Sequence, residues 1–139
     1  MDNENRIEHV AIAVDDLETA VDVFATILGA PDSGRETVES EQVKLAFFDL
    51  AGARIELLEP TASDSPVGRF LKSRGTGLHH IALEVPDIDA ALDRCRAAGI
   101  ETVGAAPRPG AGGRRVAFLH PSSTGGVLLE LSERPKPAD

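Results

Sequence analysis

The chain has 139 residues, of which 42% are hydrophobic and 27% are charged, and its formal net charge is −9. This is the length of one ordinary domain with a hydrophobic core, and the composition is typical of a soluble globular protein. The negative charge argues against a nucleic-acid partner, which would require a basic patch. The chain has one cysteine, Cys95, so no intramolecular disulfide can form. Its helical position predicts a small core residue rather than a reactive thiol.

No apolar stretch approaches the roughly 20 residues that span a bilayer. The N-terminal residues 1–6 are polar and acidic, unlike a secretory signal. We therefore expect a cytoplasmic enzyme or binding protein with no membrane partner.

The first part of the chain predicts a strand followed by a helix. Residues 7–14 are rich in β-branched and small apolar side chains, and the carboxylates of Asp15 and Asp16 suit the start of a helix. Apolar residues then recur at three- and four-residue spacings up to Gly29, which predicts an amphipathic helix. After a polar stretch to about residue 41, the predicted elements are a strand over 43–50, a strand over 53–58 and a short helix over 65–74.

The pattern then restarts. Residues 78–85 predict a strand, and Asp87 opens a helix that ends at Gly99. Residues 105–113 are rich in proline and glycine, which predicts a loop. The last predicted elements are paired strands over 115–120 and 126–132.

This restart is an internal repeat. Residues 9–17 return as residues 80–88, a shift of 71 (from 9 to 80), and residues 55–57 return as residues 129–131, a shift of 74 (from 56 to 130). Repetition takes precedence over local signals. It predicts two modules, at about 6–60 and 77–133, within a single domain spanning 1–139. Each module comprises a strand, a helix and three further strands.

Each module contributes one histidine and one glutamate at matching places, His9 and Glu56 in the first and His80 and Glu130 in the second. A lone strand histidine or glutamate is usually a satisfied core residue or faces solvent. Because both residue types recur at homologous positions, we predict that all four bind one divalent metal ion. Two imidazoles and two carboxylates suit Co²⁺, Ni²⁺, Mn²⁺, Zn²⁺ or Fe²⁺ and leave two positions for substrate.

Other polar residues have less certain roles. His79 must point to the face of its strand opposite His80, which favours a structural or supporting role. His120, which precedes Pro121, could bind substrate or stabilise a turn. The basic residues that could meet the phosphates of a large anionic ligand, or simply face solvent, are Lys72, Arg74, Arg114 and Arg115.

Four runs of sequence, over residues 7–14, 54–60, 77–85 and 116–131, carry a resemblance to a known family. They resemble the vicinal oxygen chelate (glyoxalase/bleomycin resistance/dioxygenase) superfamily and, within it, the methylmalonyl-CoA epimerases. The Gly-Leu-His-His run and the Phe-Leu-His-Pro run, with its following Gly-Gly-Val-Leu-Leu-Glu-Leu, are the more specific to these epimerases. The resemblance covers nearly the whole chain.

The resemblance implies an α+β fold in which two tandem βαβββ modules form an open curved β-barrel around a metal site. It implies that His9, His80 and Glu130 are ligands, while Glu56 stands where members carry Glu or Gln as the fourth. It also implies a homodimer that binds a small-molecule acyl-CoA substrate. Such enzymes invert the carbon between the thioester and the carboxylate of methylmalonyl-CoA. Co²⁺ is the ion we expect first in vitro.

The implied reaction passes through a metal-stabilised enediolate, with a proton removed from one face of the α-carbon and returned on the other. Glu130 is the first candidate for one proton transfer. Some relatives have a second glutamate on the strand before Glu56, but residues 43–48 contain no carboxylate. Glu56 itself, Glu39, Glu41 or a metal-bound water could take that role.

Three alternative functions are found within the same superfamily. A glyoxalase I-type lactoylglutathione lyase uses the same ligand types, whereas an extradiol dioxygenase would use two histidines and one carboxylate around Fe²⁺. A non-catalytic drug-binding protein would need an aromatic groove, and the chain has no Trp or Tyr and only five Phe. A close acyl-CoA such as ethylmalonyl-CoA is also possible as substrate, because one methylene changes binding by only about 1–3 kcal/mol.

Overall fold

The computed structural model describes residues 4–136, apart from the side chain of Ala105. These residues form two compact units. The first unit contains residues 9–79, and the second contains residues 4–8 together with 80–136. Residues 1–3, which belong to the N-terminal segment predicted not to be a signal, lie outside the described residues. Within the described part, no helix is long and apolar enough to cross a membrane.

The first unit is built on four strands in the order β2-β3-β4-β1. β1 lies parallel to β4, and the other neighbours are antiparallel. Helix α1 covers one face through a core that includes Leu17, Val21, Phe48 and Leu57. The elements are β1 (Arg6–Ala13), α1 (Leu17–Leu28), β2 (Gly34–Val38), β3 (Val43–Leu50), β4 (Ala53–Pro60) and α2 (Pro66–Arg74).

The second unit repeats this plan, with strands in the order β5-β8-β7-β6 and with β5 parallel to β8. Helix α3 packs on one face through Ile88, Leu92, Ala117 and Leu131, and the half-buried Cys95 lies against this core as a free thiol. The elements are β5 (Gly77–Val85), α3 (Ile88–Ala97), β6 (Thr102–Pro109), β7 (Arg115–Leu119) and β8 (Leu129–Glu133). The predicted α+β class with two βαβββ modules is confirmed.

The helices α1 and α3 begin with the same capping interaction. The side chain of Asp16 accepts a hydrogen bond from the backbone N–H of Thr19 at 3.1 Å, and Asp87 accepts one from Ala90 at 3.1 Å. Both aspartates have extended backbone, as an N-cap residue does. Each carboxylate thus satisfies one backbone N–H that the helix itself leaves without a partner.

A second carboxylate reaches each of these helix starts from a strand. Glu59 on β4 accepts a hydrogen bond from the backbone N–H of Leu17 at 2.9 Å. Glu133 on β8 accepts one from Ile88 at 3.0 Å. A negative charge at a helix N-terminus is favourable because it opposes the helix dipole. The repeat therefore extends to how each helix is anchored to its own sheet.

Three sequence predictions about elements need correction. The polar stretch before residue 41 contains β2, which lies at the end of the strand order and therefore tolerates polar residues. The predicted loop over 105–113 overlaps β6, which runs to Pro109 with a register shift between Val103 and Arg108. As an edge strand, β6 accommodates prolines that a central strand would exclude. The final strand begins at Leu129 rather than at residue 126.

Candidate active site

The first unit holds a buried histidine–glutamate pair. Nδ1 of His9 lies 3.3 Å from Oε2 of Glu56, and both side chains are at most 5% exposed. The register of β1 and β4 places Glu56 beside Ala11, and Ala11 shares a strand face with His9 because side chains alternate along a strand. The sheet register therefore brings these two predicted ligands together.

The second unit holds an equivalent pair. Nε2 of His80 lies 3.2 Å from Oε1 of Glu130, with both side chains again nearly fully buried. In β5 and β8 the carboxylate stands beside Ala82, two residues after the histidine, as in the first unit. The same parallel pairing thus builds each half of the predicted ligand set.

The donor atoms fit a divalent ion. Bonds of about 2.0–2.2 Å from one ion to imidazole nitrogen and carboxylate oxygen place neighbouring donor atoms roughly 3.0–3.5 Å apart. The separations of 3.3 and 3.2 Å in the two pairs fall in that range. Burying ionisable groups is costly unless they are paired or bind a metal. Each pair therefore has the chemistry and the spacing of two metal ligands.

A phenylalanine stands across the sheet from each glutamate. Phe47 on β3 is the register partner of Glu56, and Phe118 on β7 is the partner of Glu130. The ring of Phe118 meets the ring of His80 edge to face, with centroids 5.2 Å apart and planes at 90°. This contact limits how the His80 imidazole can rotate.

Each of these rings also lies under an arginine. The guanidinium carbon of Arg54 lies 4.1 Å from the ring centre of Phe47, and that of Arg108 lies 5.2 Å from the ring centre of Phe118. The two arginines arrive from different strands, β4 in the first unit and β6 in the second. Positive charge is thus held close to each histidine–glutamate pair.

The second unit contains a buried charge cluster that the sequence analysis did not predict. Glu84 is two strand alternations beyond His80 on β5 and is 3% exposed. Its carboxylate contacts Arg114 at 2.6 Å, Arg6 at 3.1 Å and Arg134 at 3.3 Å. Burial raises the pKa of Glu84, but the hydrogen bonds from Arg114, Arg6 and Arg134 outweigh that effect and hold the pKa at about 2. Glu84 is therefore ionised throughout the physiological range.

The other two histidines considered in the sequence analysis, His79 and His120, make structural contacts. The ring of His79 packs edge-on against Phe70 of α2, with centroids 5.0 Å apart. Nδ1 of His120 accepts a hydrogen bond from the backbone N–H of Ser122 at 3.1 Å. Because a backbone amide can only donate, the neutral His120 ring carries its proton on Nε2. These contacts match the structural reading of His79 and the turn-stabilising reading of His120.

The basic residues proposed for phosphate binding are placed differently from one another. Arg114 forms an ion pair with Glu84, and Arg115 forms two hydrogen bonds of 3.1 Å with Asp89. Arg114 is also largely buried, so the alternative of simple surface solvation is wrong for it. Arg115 is exposed, and so are Lys72 and Arg74 near the end of α2.

Three kinds of site residue escaped the sequence interpretation, namely a glutamate, two phenylalanines and two arginines. Glu84 shares the strand face of His80, and the period-two spacing of His80, Ala82 and Glu84 could have indicated this. Phe47 and Phe118 differ by the same shift as the two histidines, so aligning the repeats would have found them. The arginines carry no such signal, because they occupy non-equivalent strands.

Comparison with known proteins places the chain in a family. The model of the Glyoxalase/Bleomycin resistance protein/Dioxygenase superfamily matches residues 8–118. The chain belongs to this superfamily. The resemblance to this superfamily that the sequence predicted is therefore confirmed.

Among superfamily relatives, the chain is 42% identical to the ethylmalonyl-CoA/methylmalonyl-CoA epimerase of Cereibacter sphaeroides, over 92% of this chain and 97% of that protein. It is 41% identical to the mitochondrial methylmalonyl-CoA epimerase of Homo sapiens, over 94% of this chain and 75% of that protein. A solved structure of methylmalonyl-CoA epimerase in complex with methylmalonyl-CoA and NH4+ matches with a TM-score of 0.87 and 36% identity, covering 93% of this chain and 94% of that chain.

Proposed function

We propose that this chain is a metal-dependent epimerase that interconverts (2R)- and (2S)-methylmalonyl-CoA. His9, Glu56, His80 and Glu130 bind one divalent ion, with Co²⁺ the first to test in vitro. The observation that carries the proposal is the buried histidine–glutamate pair in each module, with donor atoms 3.3 and 3.2 Å apart. The substrate follows from the relatives of about 40% identity that are named for it.

The reaction begins from an α-hydrogen that an ordinary carboxylate removes only slowly, because a thioester is a weak carbon acid. A bound divalent ion supplies electrostatic stabilisation of the enediolate charge that develops. The chain's own part is to place proton-transfer groups on both faces of the α-carbon. Glu130 is proposed to serve one face, since it is buried and held between His80 and the register partner Phe118.

Glu56 is proposed to serve the opposite face. It is the repeat equivalent of Glu130, it is 3% exposed, and its own module holds it beside His9. Of the two other carboxylates considered, Glu39 is exposed and Glu41 is half-buried, both in a short 3-10 helix that precedes β3. Glu41 is therefore the alternative that the experiments must separate from Glu56.

The direct test is to remove metal with a chelator, restore Co²⁺ and follow the α-proton of methylmalonyl-CoA by NMR in D₂O. We expect proton exchange together with formation of the other epimer, and one metal ion per chain by elemental analysis. His80→Ala and its repeat partner His9→Ala should both lose exchange and metal while keeping the wild-type circular dichroism spectrum. If the metal-loaded wild-type protein shows no exchange, the assignment fails, and the hemithioacetal of glutathione and methylglyoxal is the next substrate to test.

We further propose, from the resemblance to the family, that the enzyme works as a cytoplasmic homodimer. Sedimentation equilibrium of the Co²⁺-loaded protein tests the assembly. A single species of one-chain mass over the micromolar range would contradict the dimer without bearing on the epimerase activity.

A further inference from the structure

His120 follows the last residue of β7 and continues the pairing of that strand. Its backbone is extended, and its N–H donates a hydrogen bond to the carbonyl of Glu101 at 2.7 Å, next to the registered pairs of β6 and β7. Because side chains alternate along a strand, His120 shares the face of Phe118, which is the register partner of Glu130. Leu119, which lies between them, points to the other face, into the core under α3. His120 therefore lies on the same side of the sheet as the second module's histidine–glutamate pair.

The strand register also indicates how far His120 lies from His80. Leu129 on β8 is the register partner of the residue after His80 on one side and of the residue before His120 on the other. One step along the chain, Leu128 therefore stands between the two histidines. Neighbouring strands are about 4.8 Å apart, so the two histidine Cα atoms lie roughly 10 Å apart across the sheet.

The ring of His120 is held in one orientation although the residue is exposed. Its Nδ1 accepts a hydrogen bond from the backbone N–H of Ser122 at 3.1 Å, and the hydroxyl of Ser122 lies 2.7 Å from the same nitrogen. The backbone carbonyl of His120 accepts a hydrogen bond from Ser123 at 2.9 Å. Since Nδ1 is an acceptor, the neutral ring carries its proton on Nε2. Within residues 4–136, Nε2 has no hydrogen-bond acceptor.

The turn after β7 requires only the Nδ1 side of this ring. Ser, Thr, Asp and Asn are the usual residues at such a position, and each of them could accept the bond from the Ser122 N–H. An imidazole adds a neutral N–H donor on the far side of the ring. A donor that is already oriented suits a carbonyl oxygen of a bound molecule, because little side-chain entropy is lost on binding.

We propose that Nε2–H of His120 donates a hydrogen bond to the first amide carbonyl of the pantetheine arm of the acyl-CoA substrate. This inference rests on the proposed epimerase function, in which the buried His80–Glu130 pair faces the reacting end of the substrate. That amide carbonyl is the first hydrogen-bond acceptor beyond the thioester along the pantetheine arm. An exposed donor roughly 10 Å from His80 suits this part of the ligand better than it suits the thioester carbonyl, which the metal would bind.

Such a contact has a kinetic signature. The amide is remote from the reacting bonds, so its hydrogen bond is equally strong in the ground state and in the transition state. Loss of uniform binding of this kind raises KM and leaves kcat unchanged.

The test compares two truncated methylmalonyl thioesters in the Co²⁺-loaded protein. The thioester of N-acetylcysteamine retains the amide carbonyl, whereas the thioester of ethanethiol lacks it. His120→Asn keeps an acceptor for the turn, but its shorter side chain does not reach the position of Nε2. It should raise KM for methylmalonyl-CoA and for the N-acetylcysteamine thioester about three- to tenfold, as expected for loss of a neutral hydrogen bond, with kcat unchanged. KM for the ethanethiol thioester should not change.

The matched control is Ser123→Ala. It loosens the same turn by removing the hydroxyl that accepts a hydrogen bond from the Glu101 N–H at 3.2 Å, and it should match wild type with all three substrates. A second readout is independent of turnover. Nitrogen-15 NMR of the Zn²⁺-loaded protein should show Nε2 of His120 protonated, and this signal should shift when propionyl-CoA, which carries the same pantetheine arm, is added.

The outcomes separate this inference from the function beneath it. An equal rise in KM for both truncated thioesters, no rise for either, or an equal rise in Ser123→Ala would overturn the inference. A fall in kcat at unchanged KM would place His120 at the reacting atoms and would also contradict it, as would an Nε2 signal that propionyl-CoA does not shift. All of these results leave the epimerase function standing. A wild-type protein that exchanges the α-proton of none of the three thioesters overturns that function, and this inference with it.

Discussion

Each of the two modules has a buried histidine–glutamate pair, but the modules differ in how the histidine-bearing strand is stabilised. Four residues after His9, the first module has Ala13, which is fully buried. Four residues after His80, the second module has Glu84, which is equally enclosed but surrounded by arginines. The comparison indicates that the two histidine–glutamate pairs depend on strand register, which both modules share. The interior beyond them can be either apolar or ionic.

The largest expected effect comes from substituting the two candidate proton-transfer glutamates one at a time. Glu130→Gln should lower α-proton exchange from one epimer of methylmalonyl-CoA by about 10²–10⁴-fold while exchange from the other epimer persists, and Glu56→Gln should show the opposite preference. NMR in D₂O, starting from each pure epimer, measures both. Retained exchange from both epimers in Glu56→Gln would exclude Glu56 as the second proton-transfer group, and Glu41→Gln would then be the variant to examine.

The next effect concerns the charge cluster around Glu84 in the second unit. Glu84→Gln should cost roughly 3 kcal/mol of unfolding free energy at pH 7, because it removes a buried carboxylate that is the shared counter-charge of three arginines. The pKa of Glu84 is lowered from 4.5 to about 2, so its stabilisation is complete above pH 4.5 and is lost as the pH falls toward 2. Urea unfolding between pH 7 and pH 3 should therefore show the difference from wild type shrinking with acidity.

The control for this cluster is an exposed carboxylate of the same unit. Asp93 is paired with Arg96 at 3.7 Å, and its side chain is 80% exposed. Asp93→Asn should change stability by less than about 0.5 kcal/mol. A loss of similar size in both variants would mean that net charge, rather than the buried cluster, determines the effect.

A smaller effect compares two glycines with nearly the same φ. Gly29 and Gly104 have φ values of +68° and +67°, but an added β-carbon meets nothing within 4 Å at Gly29 and lies 3.0 Å from Arg108 at Gly104. Substitution by alanine should cost about 1–2 kcal/mol at either position. Only Gly104→Ala should also displace the Arg108 guanidinium, so its loss of unfolding free energy in urea should be the larger of the two. Equal losses would show that Arg108 tolerates displacement.

The smallest effects concern a feature that both modules share, the strand glutamate that accepts a hydrogen bond from a helix N-terminus. Glu59→Gln and Glu133→Gln each remove a negative charge from a helix start and should each cost about 0.5–1 kcal/mol of unfolding free energy. Because the hydrogen bonds measure 2.9 and 3.0 Å, the two losses should agree closely in urea unfolding. A difference larger than about 1 kcal/mol would show that the repeat anchors its two helices unequally.

The sequence predicted the main elements well where hydrophobic periodicity was strong. Helices α1 and α3 begin one residue after their capping aspartates, as capping chemistry requires. It failed at β2 and β6, the strands at the ends of the strand order, because edge strands carry polar residues and prolines that locally resemble loops. At those positions, pairing with β3 and β7 overrides local composition.

By itself, the sequence determined that there are two modules, that each contributes one histidine and one glutamate, and which superfamily they resemble. These features lie in short runs of sequence that recur at nearly the same spacing in both modules. Only the tertiary structure decided that Glu84 is buried among three arginines, that Arg108 lies over Phe118, and that Arg114 is not a surface residue. Such contacts join strands far apart in the chain, and their partners follow from sheet pairing, which no local pattern of residues encodes.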